Sequence, residues 1–104
     1  MSIKLALLKS GEQVIADIKE LVSNDKVCGY LFKTPQIVFA QQLSFSLSES
    51  EEINENSVEL KMSPWILLSA DEEVPVPPDY IVTIVEPVAE VVEMYKEKTN
   101  GTSD

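Results

Sequence analysis

The stretch "QLSFSLSES" sets Leu43, Phe45 and Leu47 against Ser44, Ser46 and Ser48. A strict period of two means a strand with one face buried and the other in water. At 3.6 residues per turn the same residues would spread around a helix, so a helix has no use for this pattern. The alternation returns in "SVELKMS", where Val58, Leu60 and Met62 oppose Glu59, Lys61 and Ser63. Between the two lies "ESEEINEN", 49–56, polar and acidic. The pair therefore reads as a long hairpin with a solvated tip, and a chain built around it is committed to a sheet.

The flanking segments extend that sheet. In "IKLALLK", residues 3–9, Ile3, Leu5 and Leu7 share one face, and further apolar residues lie on the other. Ser10-Gly11 then breaks the run, with glycine supplying the positive φ of a tight hairpin turn. "EQVIADIKELV" follows with Val14, Ala16 and Ile18 on one side and Ile15 on the other. Helical spacing also links Val14, Ile18 and Leu21, but the β-branched content and flanking turns favour a strand. "SNDK" (23–26) is a turn, and "VCGYLFK" a strand that Thr34-Pro35 is expected to interrupt, because Pro35 has no N–H for a ladder. Pairing resumes in "QIVFAQQ". After Pro64, "WILLS" is a continuous apolar run expected to be buried on both faces, and "ADEEVPVPPD" reads as a stiff connector. "YIVTIV" is a strand.

"EPVAEVVEMYKEKTNG" closes the chain as an amphipathic helix over 87–98. Pro87 suits its first position, Val88, Val91, Val92 and Tyr95 form its apolar stripe, and Gly101 ends it. The sum is five or six hairpin-linked strands followed by one helix. Strands this long in 104 residues must bend to bury both faces. The expected fold is mainly β: a small, strongly bent, five-stranded antiparallel barrel with a C-terminal helix. One domain spans 1–99, and 100–104 is a flexible tail.

The chain has 18 acidic residues against 8 basic ones, for a net charge of −10; all the basic residues are lysines, and histidine and arginine are absent. This removes the usual general base and metal ligand, and the usual bidentate reader of phosphate and guanine. An acidic chain is also repelled by nucleic acid at long range, so any such binding needs a local site. The single cysteine, Cys28, excludes an intrachain disulfide, fits a reducing compartment, and reads as a small buried hydrophobe. No apolar run approaches the length of a membrane span and no signal peptide is evident, so a cytoplasmic protein is expected and the sequon Asn100-Gly101-Thr102 reads as accidental. The carboxylate clusters, Asp71-Glu72-Glu73 and Glu49, Glu51, Glu52 and Glu55, lack the ligand spacing of a metal loop. They read as solvated loops. No catalytic residue, metal site or cofactor is expected, and the chain reads as a non-enzyme.

Leu8, Gly11, Val14, Ile18 and Leu21 resemble the first motif of Sm and Sm-like proteins: a leucine, two residues, a glycine, then alternating apolar positions through a bent strand. The order of strands over 3–85 is similar too. With "MSPWILLSADE" and "DYIVTIVEP", the chain looks like Sm-like proteins of marine cyanophage origin, which implies the cytoplasm of an infected host. The resemblance implies an Sm-like (SH3-like) barrel assembling into a homo-oligomeric ring. The edges that would pair between copies are Trp65, Ile66, Leu67 and Leu68 on one side and Tyr80, Ile81, Val82 and Ile84 on the other. It also implies a pore-facing loop at Asn24, Asp25 and Lys26 that binds single-stranded RNA or DNA in nucleic-acid processing. Departures are plain. Ala16 replaces the second glycine, the aspartate falls near Val22, the base-gripping asparagine falls near Lys26 with Asn24 close by, and "ADEEVPVPPD" stands where an arginine-glycine pair completes the pocket. The helix is C-terminal, whereas the family's is usually N-terminal.

Three readings follow. One is a nucleic-acid-binding ring with a steep salt dependence. Another is a structural or adaptor ring that has lost RNA and binds protein partners, favoured by the missing arginine and the −10 charge. The third, an enzyme built on the carboxylates, has no histidine to complete a conventional triad. Aromatic side chains add an open point: Tyr30 and Phe32 share a strand face, with Phe39 and Phe45 beyond, as core residues or as base-stacking platforms.

Overall fold

The structure is a computed structural model that describes residues 2–42 and 58–100. The "QLSFSLS" alternation and the acidic loop 49–56 lie outside the described residues, as does the tail from 101. Six strands form one antiparallel sheet: β1 (Ile3–Leu8), β2 (Gln13–Ser23), β3 (Lys26–Gln42), β4 (Val58–Pro64), β5 (Glu73–Val76) and β6 (Ile81–Val85). A short 3-10 turn, Pro78–Tyr80, joins the last two strands, and α1 (Ala89–Asn100) closes the chain. The order is β4-β3-β2-β1-β6, with β5 also on β3. The expected five strands are thus six, and the sheet is open rather than closed, since β4 and β6 are not paired with each other.

Local chemistry explains the two tight turns. Gly11 holds φ +94°, and its N–H donates to the Leu8 carbonyl (2.9 Å), while the Leu8 N–H reaches back to the Glu12 carbonyl (3.0 Å). That is a three-residue hairpin loop whose left-handed position glycine fills without strain. At the next hairpin Ser23 faces Lys26, and Asn24 (φ 54°) and Asp25 (φ 64°) are both left-handed. This is the two-residue turn that matches the twist of its strands, made with the two non-glycine residues that best tolerate it.

Strand β3 is not interrupted at Thr34-Pro35. It runs through as one 17-residue strand and absorbs the bend at Thr34, whose φ is 50°. Its first half, Tyr30–Lys33, pairs with β5, and its second half, Gln36–Gln42, pairs with β4. "ADEEVPVPPD" is therefore partly a strand, not only a connector. Residues 65–72 leave the sheet between the two halves, and the bend's backbone is satisfied by the ends of this excursion. The Trp65 N–H donates to the Pro35 carbonyl (3.1 Å), and the Thr34 N–H donates to the Glu72 carbonyl (2.7 Å).

The sheet is covered on both faces. Inside the curve, Ala6, Leu8, Val14, Ala16, Ile18, Phe32 and Val76 form one buried cluster, flanked by Trp65, Tyr80, Ile81 and Ile84. On the convex side Ile15 and Met62 pack under Val91 and Tyr95 of α1. This is why β2 is apolar on both sides at Val14, Ile15 and Ala16, all at 0% exposure. The helix starts at Ala89, two residues later than expected, because the Val88 carbonyl accepts from the N–H groups of Val91 and Val92 (3.0 and 3.1 Å). Val88 is left 64% exposed, and Met94 joins the packed face instead. Tyr95 anchors the far end: its hydroxyl donates to the Lys33 carbonyl (2.8 Å), beside the β3 bend.

Two further expectations are corrected. Cys28 is exposed, not buried. The β2–β3 register shifts between Leu21 and Val22, leaving Cys28 as the extra residue of a bulge, with its thiol donating to the Leu21 carbonyl (3.2 Å). "WILLS" is neither a strand nor buried on both faces. Trp65 plugs the inner core, with its ring 6.1 Å from Phe32 and its Nε1–H donating to Glu12 (3.2 Å). Leu67 and Leu68 turn outward, 72% and 95% exposed.

Candidate nucleic-acid interface and sheet edges

Asn24, Asp25 and Lys26 are consecutive on the turn that joins β2 and β3, and all three are exposed. Their backbone is fixed by the paired strands behind them, so the Lys26 ammonium is displayed from a rigid tip. The tip is electrically balanced: Lys19 and Lys26 stand with Glu20 and Asp25 within the same hairpin. Val22 and Val27 face each other across it and are both exposed. A balanced, partly apolar tip differs from the surface of a chain with net charge −10.

The residues expected at an oligomer interface fall into two groups that the fold separates. Ile66, Leu67 and Leu68 project from the excursion, and the Ser69 N–H closes that turn on the Ile66 carbonyl (3.1 Å). Trp65, Tyr80, Ile81 and Ile84 are turned toward the inner core and only partly exposed. Val82, in contrast, is 59% exposed on β6, and Val85, at the end of the same candidate edge, is 46% exposed. Strand β6 pairs only with β1, and β4 only with β3, so each presents a free backbone edge among the described residues.

Beside β6 the open sheet leaves a cleft of about 400 Å³, lined by Ser2, Lys4, Ile18, Lys19, Glu20, Tyr30 and Ile84. The Lys4 ammonium is paired with the Glu86 carboxylate. Phe32 is fully buried, whereas Tyr30 is half-buried against the same cluster, which separates two aromatic residues that the sequence treats alike. Phe39 is 46% exposed beyond the helix, and Phe45 lies outside the described residues.

Asp71, Glu72 and Glu73 are exposed, and among the described residues no group of three or more acidic or cysteine side chains is arranged to hold a metal ion. No helix among the described residues is long and apolar enough to cross a membrane. Burial first, then the nearby Asp17 carboxylate, pushes the Tyr95 hydroxyl above the usual phenol range, against hydrogen bonding from the Asp17 backbone and Thr34.

A family model described as a family of unknown function, DUF6561, matches residues 1–100. Among curated proteins none matches the chain.

Proposed function

The chain belongs to the DUF6561 family, and from its geometry we propose that it is an Sm-like, ring-forming protein that binds single-stranded RNA or DNA through the β2–β3 hairpin tip. The observation that carries this reading is the open sheet in the order β4-β3-β2-β1-β6, with β6 free on one side and β4, together with β5, free on the other. Strands β4 and β5 pair antiparallel with successive halves of β3, so they count as one bent strand broken by the excursion at 65–72. The sheet then reduces to five strands in the order of an Sm-like barrel. Free edges with exposed Val82 and Val85 are a liability in a monomer, and head-to-tail pairing of copies around a closed ring removes it. In such a ring Lys26 recurs around the axis, and Asn24 and Asp25 line the same rim. The copies also bring Ile66, Leu67 and Leu68 close to their neighbours.

One observation favours the second reading, a structural or adaptor ring that binds protein. The tip carries no net charge, and no arginine exists to grip phosphate. Light scattering and binding of labelled oligo-U, oligo-A and single-stranded DNA at two salt concentrations decide between them. A ring that binds, loses affinity with salt, and fails as Lys26→Glu supports nucleic-acid binding. A ring that binds none at low salt supports the adaptor, and a monomer at micromolar concentration removes both.

A further inference from the structure

We propose that the open edge of β3 beyond Val38 is a strand-addition site for a protein segment that alternates apolar and basic residues. The inference goes beyond the nucleic-acid reading and does not need it, because this edge is distinct from the hairpin tip and from β6.

The β2–β3 pairing ends with Gln13 opposite Val38, whereas β3 continues to Gln42 against β4. In an antiparallel sheet alternate residues turn their N–H and C=O groups toward each neighbour. The groups of Phe39–Gln42 that point away from β4 therefore have no backbone partner among the described residues. Open edges are ordinarily guarded by charge or proline, and "IVFAQQ", residues 37–42, carries neither.

A cleft opens on each face of this edge, and the two share Gln13, Val38, Phe39 and Ala40. Register sorts the faces. Val38 stands opposite Met62 and Ala40 opposite Leu60, on the side covered by α1. Ile37 stands opposite Val14 on the inner side, and Phe39 shares its face two residues on. The helix-side cleft, about 280 Å³, is lined by Leu5, Leu60 and Val91, with the exposed Val88 beside them. The other cleft, about 400 Å³, is lined by Ile37 and the turn Ser10–Glu12. The Glu12 carboxylate accepts from Trp65, which packs on the inner core, so its charge lies on that side.

A strand added here sends successive side chains to opposite faces. Apolar residues fit the helix side. A lysine or arginine fits the inner side, with its stem along Ile37 and Phe39 and its charge toward Glu12. The net charge of −10 attracts such a basic segment and repels a second copy of this chain.

The test is fluorescence anisotropy on the full chain with a labelled, end-capped heptapeptide in which lysine and valine alternate. Its control has the same composition with all the lysines first. The alternating peptide should bind at least about tenfold tighter, since charge alone serves both equally. Ala40→Lys, which sets a cation at the apolar cleft, should weaken binding about tenfold, and Glu12→Gln roughly threefold with a shallower salt dependence. Lys26→Glu and Val82→Lys, at the tip and on β6, should each stay within about twofold of the parent. Hydrogen exchange needs no variant: the edge-facing amides within Phe39–Gln42 should exchange fast in the free chain and slowly with the peptide bound. Failure of both peptides to bind, equal binding of the two, or Ala40→Lys matching the parent overturns the proposal. Slow exchange at 39–42 in the free chain does so too, because the edge is then already covered by this chain or by a second copy. Oligonucleotide binding at the tip survives each of these outcomes, so the two readings fail separately.

Discussion

Replacing Tyr95 by Phe removes one oxygen from a buried position and tests how the helix is held to the sheet. Tyr95 is 3% exposed, and its hydroxyl donates to the Lys33 carbonyl at 2.8 Å, one residue before the left-handed Thr34. The ring stays in Phe, so the apolar packing against Ile15, Met62 and Val91 is kept. What is lost is a part-buried hydrogen bond, at a cost of about 1–2 kcal/mol. For a domain of this size that is roughly 4–15 °C in Tm. A pH signature accompanies it. The folded pKa of Tyr95 is raised, so the neutral phenol's contribution is fully present below pH 10.0, the unfolded value, and is lost as pH rises from there through the folded value. The gap in stability between parent and Tyr95→Phe should narrow above about pH 10. Urea unfolding at pH 7, 9 and 10.5, followed by Trp65 fluorescence, reads both effects. A variant as stable as the parent at pH 7, or a gap constant across the three pH values, would refute this account of the helix anchor.

Two further substitutions probe the sheet. Gln36 is buried, with Ile15 and Pro64 as its strand partners, and its Oε1 has no hydrogen-bond partner among the described residues, so Gln36→Met should raise stability by about 1 kcal/mol or more in urea unfolding. A loss of stability would mean that the amide is satisfied in solution. Val82 is 59% exposed on the free edge β6, so Val82→Lys should leave the unfolding free energy within about 0.5 kcal/mol while dissociating the proposed ring in light scattering, and a ring left intact would place the interface elsewhere.

Local chemistry made most of the sheet legible. Gly11, Asn24 and Asp25 sit in left-handed conformations that few other residues adopt easily, so their turns follow from residue type alone. Val14, Ala16 and Ile18 faced the core as their spacing implied, and Ile15 showed that the strand has a second buried side. What the sequence hid was set by distant partners. Thr34-Pro35 reads as a break, yet β3 continues because Glu72 and Trp65, far along the chain, complete the hydrogen bonds of the bend. "WILLS" reads as core, yet of this run Trp65 is the residue packed against the buried cluster, and the leucines after it are carried outward by the turn that closes Ser69 on Ile66. Cys28 looked buried because nothing local announces a bulge. The tip residues 24–26 were legible as a turn, whereas the cleft at Lys4, Ile18 and Tyr30 was not, because it gathers residues from β1, β2 and β3 that only the register brings together.

That register also explains why the open edges matter more here than in a typical small sheet. Both broad faces are already occupied, the inner one by Phe32, Leu8 and Val14 and the outer one by α1 through Val91 and Tyr95. The chain therefore has no further face on which to fold back, and the unpaired backbone of β4 and β6 must meet water or another chain. A negative charge of −10 opposes indiscriminate stacking of such edges, since any two copies repel. A strand pairing at every contact offsets part of that repulsion, and the proposed closed ring gains one per copy without leaving a growing end. Dissociation on lowering the salt concentration and tighter assembly on raising it follow from this balance. Nucleic-acid binding at the lysines should respond to salt in the opposite sense, so one titration separates the two.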